Sequence, residues 1–228
     1  KFIPTLTFIL LVSYTVILCM GNGYTCDESN ILSIIDRQLF GEAHLYQKSP
    51  IDPEGFVSTL SAIAHTCIGF SCRKWIIQSH QTENKVLRLF LTGFILMSIG
   101  YLLADALPLN KRIWSPTFVL VTCGAASMSL ATLMYYIDIR NKQKWCRFFI
   151  IFGVNPLFLY VLSEVLAIMM GSTGWKAAAY AALHSLITDA YLASAVYALV
   201  FTLFLGCIGY PLYLKKIYIK LKQPIHNI

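Results

Sequence analysis

Charge is scarce in this chain. Only 13% of its 228 residues are Asp, Glu, Lys or Arg, while 57% are hydrophobic, and the mean hydropathy is clearly positive. A soluble domain rarely has that balance. Also missing are any Cys-x-x-Cys pair, internal repeat, low-complexity tract or Asn-x-Ser/Thr acceptor. The first absence argues against a zinc site, and seven cysteines lying mostly in or beside apolar runs make no disulfide framework; only Cys26 sits clearly in a polar loop. The chain opens with Lys1 and enters an apolar run at once, without a basic n-region or small-residue cleavage site, so it does not begin as a signal peptide does. It reads as the second part of a longer polypeptide.

What is present in abundance is long apolar sequence. Crossing about 30 Å of hydrocarbon at about 1.5 Å per residue needs a run of roughly 18 to 20 apolar residues. The runs Phe2 to Met20, Phe56 to Cys72, Leu87 to Leu107, Phe118 to Ile139, Phe148 to Met170 and Tyr191 to Leu214 predict six spans. The fold class expected is therefore all-α: a polytopic membrane helical bundle of about six transmembrane helices plus short interfacial helices, forming one transmembrane domain over residues 1–228. Ile31, Leu32, Ile34, Ile35 and Leu39 predict a surface helix capped from Asp27 to Ser29, before a turn at Lys48-Ser49-Pro50. A further short helix is predicted from Trp175 to Leu186. Small residues four apart, Gly100 with Ala104 and Cys123 with Ser127 and Ala131, point to close helix packing.

The net charge of +7 is explained by topology rather than by nucleic acid. Twelve of the 18 basic residues form three clusters: Arg73, Lys74, Lys85 and Arg88; Arg140, Lys142, Lys144 and Arg147; Lys215, Lys216, Lys220 and Lys222. Six spans put all three on one side, and the positive-inside rule makes that side cytoplasmic. The loop from Gly21 to Gly55 lies opposite and carries Asp27, Glu28, Asp36, Glu42, Asp52 and Glu54 against only Arg37 and Lys48.

Asp52-Pro53-Glu54-Gly55 stands at the mouth of an apolar helix, where free N–H groups favour carboxylates. Behind it, Ser58, Ser61 and His65 share one helical face. His65 is a weak candidate for a general base, and a neutral histidine hydrogen-bonded between helices explains it better. Asn110 and Lys111 are unusual on an outer face, beside Asp105 and an interfacial Trp114. In the fifth span Pro156, Tyr160 and Glu164 fall four apart, next to Asn155, where proline is expected to kink the span, free the Phe152 carbonyl and open a polar cavity. A carboxylate at Glu164 must be paired, protonated or facing water.

Three segments, in this order, resemble the heparan-alpha-glucosaminide N-acetyltransferase family: Asp52 to Gly55 with Ser58-Thr59, Ile63 and Gly69; Pro108-Leu109-Asn110-Lys111-Arg112-Ile113-Trp114-Ser115; and Gly153-Val154-Asn155-Pro156 with Tyr160 and Glu164. The resemblance runs over essentially the whole chain but only to the C-terminal half of the family. The family's catalytic histidine lies in an N-terminal block, before a D-[LM]-x-F-P segment, and maps to no residue here. His65 is a departure from the family pattern.

The resemblance implies an integral-membrane acetyltransferase moving acetyl from cytoplasmic acetyl-CoA to an amino sugar of glucosamine type, or a glycan end, on the outer or luminal side. It implies substrate-binding roles for Asp52, Glu54, Gly55, Ser58, Thr59, Asn110, Lys111 and Trp114. Asn155, Tyr160 and Glu164 would line the acetyl-CoA path. The expected partners are membrane lipid and the N-terminal half of the same protein, without nucleic acid; a homodimer is compatible. By itself this part is expected to be inactive. Short outer loops favour a bacterial inner membrane over a lysosomal one. The rival reading is a transporter or channel-like bundle without acyl chemistry, against which the lack of internal repeats counts.

Overall fold

In the computed structural model the chain forms two compact units, Lys1–Lys142 and Gln143–Ile228. The structure describes residues 2–46, 49–79 and 81–219. Lys48 of the expected turn, and Lys220 and Lys222 of the third basic cluster, lie outside the described residues. All regular structure among the described residues is helical.

The first unit is built on α1 (Phe2–Met20), α3 (Thr59–Gln78), α4 (Thr82–Leu102) and α5 (Pro116–Met134), with a π-helical turn over Tyr135–Ile139. Between α1 and α3 lies α2 (Ile31–Phe40), followed by a 3-10 turn at Glu42–His44. Pro4 packs near Trp75 at one end of the unit, and Val86 near Tyr135 at the same end, so the helices alternate in direction. That end carries Arg73, Lys74, Lys85, Arg88 and Arg140. The opposite end holds α2, the Asp52 turn and the loop from Leu103 to Ser115.

Among the described residues, four helices are long and apolar enough to cross a membrane: α1, α4, α5 with its π turn, and α9 of the second unit. A fifth span results if the bent pair in the second unit counts as one. The remaining expected span is α3, whose 20 residues suffice in length but include Ser61, His65, Thr66, Ser71, Arg73 and Lys74.

Glycine decides how α4 meets α5. A Cβ built on Gly93 would stand 2.7 Å from the Gly124 carbonyl oxygen, and one on Gly124 would stand 2.6 Å from that of Gly93. The two backbones therefore touch, the small-residue packing that drives helix association in lipid. Gly100 packs under Leu120 and Val121 in the same way, while Cys123, Ser127 and Ala131 are buried along α5. Ser127 Oγ lies 3.4 Å from Cys72 Sγ of α3. At the other end Tyr14, Leu18, Leu32, Ile51, Val57 and Ile113 form a core that fastens α2 and both loops to α1. The cap of α2 corrects the sequence expectation. Asn30, not Asp27 to Ser29, accepts the Leu32 N–H at 2.8 Å, and its amide donates to the Gly23 and Thr25 carbonyls. Asp27 instead closes the preceding turn onto Ser29.

In the second unit α6 (Cys146–Val154) and α7 (Pro156–Ser172) meet at 81°. Pro156 opens α7 at a first-turn position, where its missing N–H costs nothing. The expected kinked span is thus two helices broken at Asn155. After them come α8 (Trp175–Leu186), with the predicted bounds, and α9 (Ala190–Leu214), capped by Asp189. Gly206 and Gly209 of α9 face Phe152 and Leu159.

Candidate functional site

Six acids occupy the loop from Gly21 to Gly55, and the fold gives them different work. Glu28 and Glu42 pair with Arg37 at 3.1 and 2.9 Å. Asp27 is fully exposed and accepts from the Ser29 hydroxyl and backbone, hydrogen bonds that hold its carboxyl below the usual range. Asp52 is a turn-former: Oδ1 accepts the Glu54 N–H at 2.9 Å and Oδ2 the Tyr46 N–H at 3.1 Å. Asp36 is buried under that turn at 1% exposure, with Oδ1 accepting the Phe56 N–H at 2.9 Å. Its Oδ2 has no partner among the described residues and lies where a Cβ on Gly55 would have to go. Glu54 remains, exposed, its carboxylate unpaired among the described residues.

Gly55 is therefore fixed by packing: any side chain would press on Asp36 Oδ2. Ser58 is buried and donates to the Gly55 carbonyl at 2.6 Å, which ties the turn to the start of α3. Thr59 is exposed on the first turn. One turn further, Ser61 donates to the Trp114 carbonyl at 2.6 Å and so joins α3 to the loop before α5.

That loop is closed by its own side chains. Ser115 Oγ accepts the Asn110 N–H at 3.0 Å and caps α5 at Phe118 N, while Asn110 Oδ1 accepts the Arg112 N–H at 2.9 Å. Asn110 thus shapes the loop, and Lys111 and Arg112 are left exposed at its tip. Trp114 has φ +52°, a left-handed conformation that is rare for a bulky residue.

The Asp52 turn and this loop face each other across a pocket of about 810 Å³, lined by His44, Tyr46, Asp52, Pro53, Glu54, Lys111, Arg112 and Trp114. Acids stand on one wall and cations on the other. The arrangement fits a polar ligand with hydroxyls and a charged group better than an apolar one, since charged walls would leave an apolar ligand facing unpaired charge. Of the residues singled out in the sequence, Asp52, Glu54, Lys111 and Trp114 line this pocket. Gly55, Ser58 and Asn110 support it from behind.

Below it, His65 faces a separate groove of about 240 Å³ between α3 and α5, lined also by Cys72, Arg73, Cys123 and Ser127. In the second unit Asn155 is buried and clamps residues 217 and 219: its amide donates to the Ile217 carbonyl at 2.8 Å and its oxygen accepts the Ile219 N–H at 2.7 Å. Tyr160 and Glu164 are exposed on α7. The structure does not group Asn155 with them.

Sequence reasoning passed over His44, Tyr46 and Arg112, and counted Asp36 only as one loop acid among six. A signal existed for Asp36. It falls on the face of α2 that carries Leu32 and Ser33, where an acid is out of place.

Over 82% of its length the chain aligns with curated mouse and human proteins (Mus musculus, 26% identical; Homo sapiens, 27%). Both are named heparan-alpha-glucosaminide N-acetyltransferase. The chain resembles these acetyltransferases. It spans about 30% of the length of the curated relatives it matches. No family model matches the chain.

Proposed function

We propose that this chain forms the acceptor side of a membrane acetyltransferase, in which the full-length protein moves acetyl from cytoplasmic acetyl-CoA to an amino sugar bound at the outer pocket. One observation carries the reading: two of the three segments that resemble the acetyltransferases, distant in sequence, meet in a single polar pocket at the end of the bundle opposite its basic loops. In this reading Glu54 holds the sugar's ammonium or hydroxyl groups. Asp52 keeps the turn in shape through its two backbone hydrogen bonds, and Lys111 and Arg112 stand opposite. Amine attack on the thioester needs the amine unprotonated and the developing oxyanion stabilised. Tyr160 and Glu164 serve the acetyl-CoA path, and Asn155 sets the helix break that presents them. A bacterial inner membrane is the proposed location.

Membranes carrying the full-length protein should transfer radiolabelled acetyl from acetyl-CoA to glucosamine. Glu54→Gln should raise KM for glucosamine about tenfold, the loss of roughly 1.4 kcal/mol of charge-assisted hydrogen bonding. Transfer that persists with an unchanged KM would remove the pocket from the reaction. Asp52→Asn is the less clean variant, because an amide cannot accept both the Tyr46 and Glu54 N–H groups in the same way.

Orientation is tested apart from chemistry. In a cysteine-free background, Ser49→Cys should react with an impermeant maleimide from outside and Gln143→Cys only after permeabilisation. The reverse pattern inverts the proposed topology.

A further inference from the structure

Two neighbouring rings line the outer pocket and the α3–α5 groove, one each. Trp114 lines the pocket and His65 the groove, with ring centroids 5.8 Å apart and planes tilted by 53°. The indole Nε1 of Trp114 and Nδ1 of His65 are both buried, and neither has a hydrogen-bond partner among the described residues. An indole N–H can only donate, and leaving a buried donor unmade costs about 1–3 kcal/mol.

The neighbourhood holds this arrangement in place. Trp114 is kept at positive φ, its N–H donating to the Lys111 carbonyl at 3.1 Å and its carbonyl accepting from Ser61, one turn above His65 on α3. Phe118 packs edge-on against the indole at 5.7 Å. Strained backbone that fixes unpaired donors is a recurrent mark of functional sites.

We propose that Trp114 Nε1–H and His65, in the tautomer protonated at Nδ1, form a two-donor cradle for the carbonyl oxygen of the acyl group, at the boundary between pocket and groove. The inference rests on the acetyl-transfer reading above and gives His65 an electrophilic role rather than that of a base. As the amine nitrogen attacks, the C–N bond forms and the carbonyl π electrons move onto the oxygen held by the two N–H groups. Collapse restores the C=O bond and breaks the C–S bond, and the proton lost by nitrogen ends on the leaving thiolate. Donors set before the charge appears, in a site of low dielectric, need no reorganisation during the step.

The test uses the full-length protein in lipid nanodiscs with acetyl-CoA carrying 13C at the carbonyl and no acceptor sugar. Difference infrared spectroscopy should show the bound thioester carbonyl band shifted to lower frequency than in free acetyl-CoA. Trp114→Phe and His65→Leu should each return it part of the way. Phe118→Leu, which loosens the packing and leaves both donors, should keep the shift. In turnover, Trp114→Phe should lower kcat about 100-fold with little change in KM for acetyl-CoA, the usual scale for one oxyanion donor. If Trp114→Phe is not recovered folded, His65→Leu decides the same question.

A bound band at the same position in wild type, Trp114→Phe and His65→Leu overturns the cradle while leaving the acetyl-transfer reading standing. Wild-type protein that binds no acetyl-CoA at all overturns both.

Discussion

Gly124→Leu is expected to abolish the folded first unit, and Gly124→Ala to weaken it by about 3 kcal/mol, at the upper end of overpacking costs. A Cβ at Gly124 meets the Gly93 carbonyl oxygen at 2.6 Å, the Met97 backbone nitrogen at 2.6 Å and Met97 Cβ at 2.8 Å. Most of these atoms belong to a helix backbone and have no rotamer by which to withdraw, so α4 and α5 must separate along their shared length. Gly69→Ala is the control. Nothing lies within 4 Å of its added methyl, and alanine favours the helix by about 1 kcal/mol over glycine. Thermal melting of the purified protein in detergent measures all three. A Gly124→Leu protein that melts like wild type would show that the α4–α5 crossing is not as close as described.

Asp36→Ala is expected to be the second large lesion. It removes the acceptor of the Phe56 N–H and leaves a donor under the Asp52 turn unpaired, at a cost of about 1–3 kcal/mol. The outer pocket should loosen with it, since Gly55 and Phe56 position both Glu54 and the start of α3. Asp36→Asn should behave differently. Burial raises the Asp36 carboxyl above the ordinary carboxylate range; the Phe56 hydrogen bond opposes that rise and nearby Asp52 adds to it.

An acid whose pKa is raised on folding binds its proton more tightly in the folded state. Its contribution to stability is therefore complete below the unfolded pKa, about 3.9, and is lost as pH rises through the raised folded value. Asparagine keeps an acceptor for Phe56 and carries no charge. At neutral pH Asp36→Asn should then be at least as stable as wild type, and its stability should fall less as pH rises above about 4. Melting temperatures over that range decide the point. An Asp36→Asn protein with the same pH slope as wild type would mean that the buried carboxyl does not titrate there.

Much of the helical layout was legible because the physics behind it is one-dimensional. Lipid demands long apolar runs with internally satisfied backbones, and α1, α8 and α9 lie within a residue of where those runs and caps place them. The break at Asn155 was legible only in part: proline marks a disturbance, but whether a helix bends or ends depends on what receives the freed groups. Here the Asn155 side chain is committed to residues 217 and 219, 62 and 64 positions away. The cap of α2 was placed one residue too early for a related reason. Asp27 and Ser29 are good capping residues, but the Asn30 amide also reaches the Gly23 and Thr25 carbonyls and so wins the position.

By itself the sequence determined the class of solvent, the apolar helices, the clustering of basic residues in particular loops, and which short segments carry polar groups that a bilayer would otherwise exclude. Those properties depend on local composition and spacing. Tertiary structure alone decided what each polar group does: Asp36 buried, Asp52 bound to backbone, Glu54 free, Lys111 and Arg112 set across a pocket from it, and His65 brought against Trp114. Hydrogen bonding and burial act over a few ångströms between residues far apart in the chain, so no spacing rule along the sequence could have assigned them.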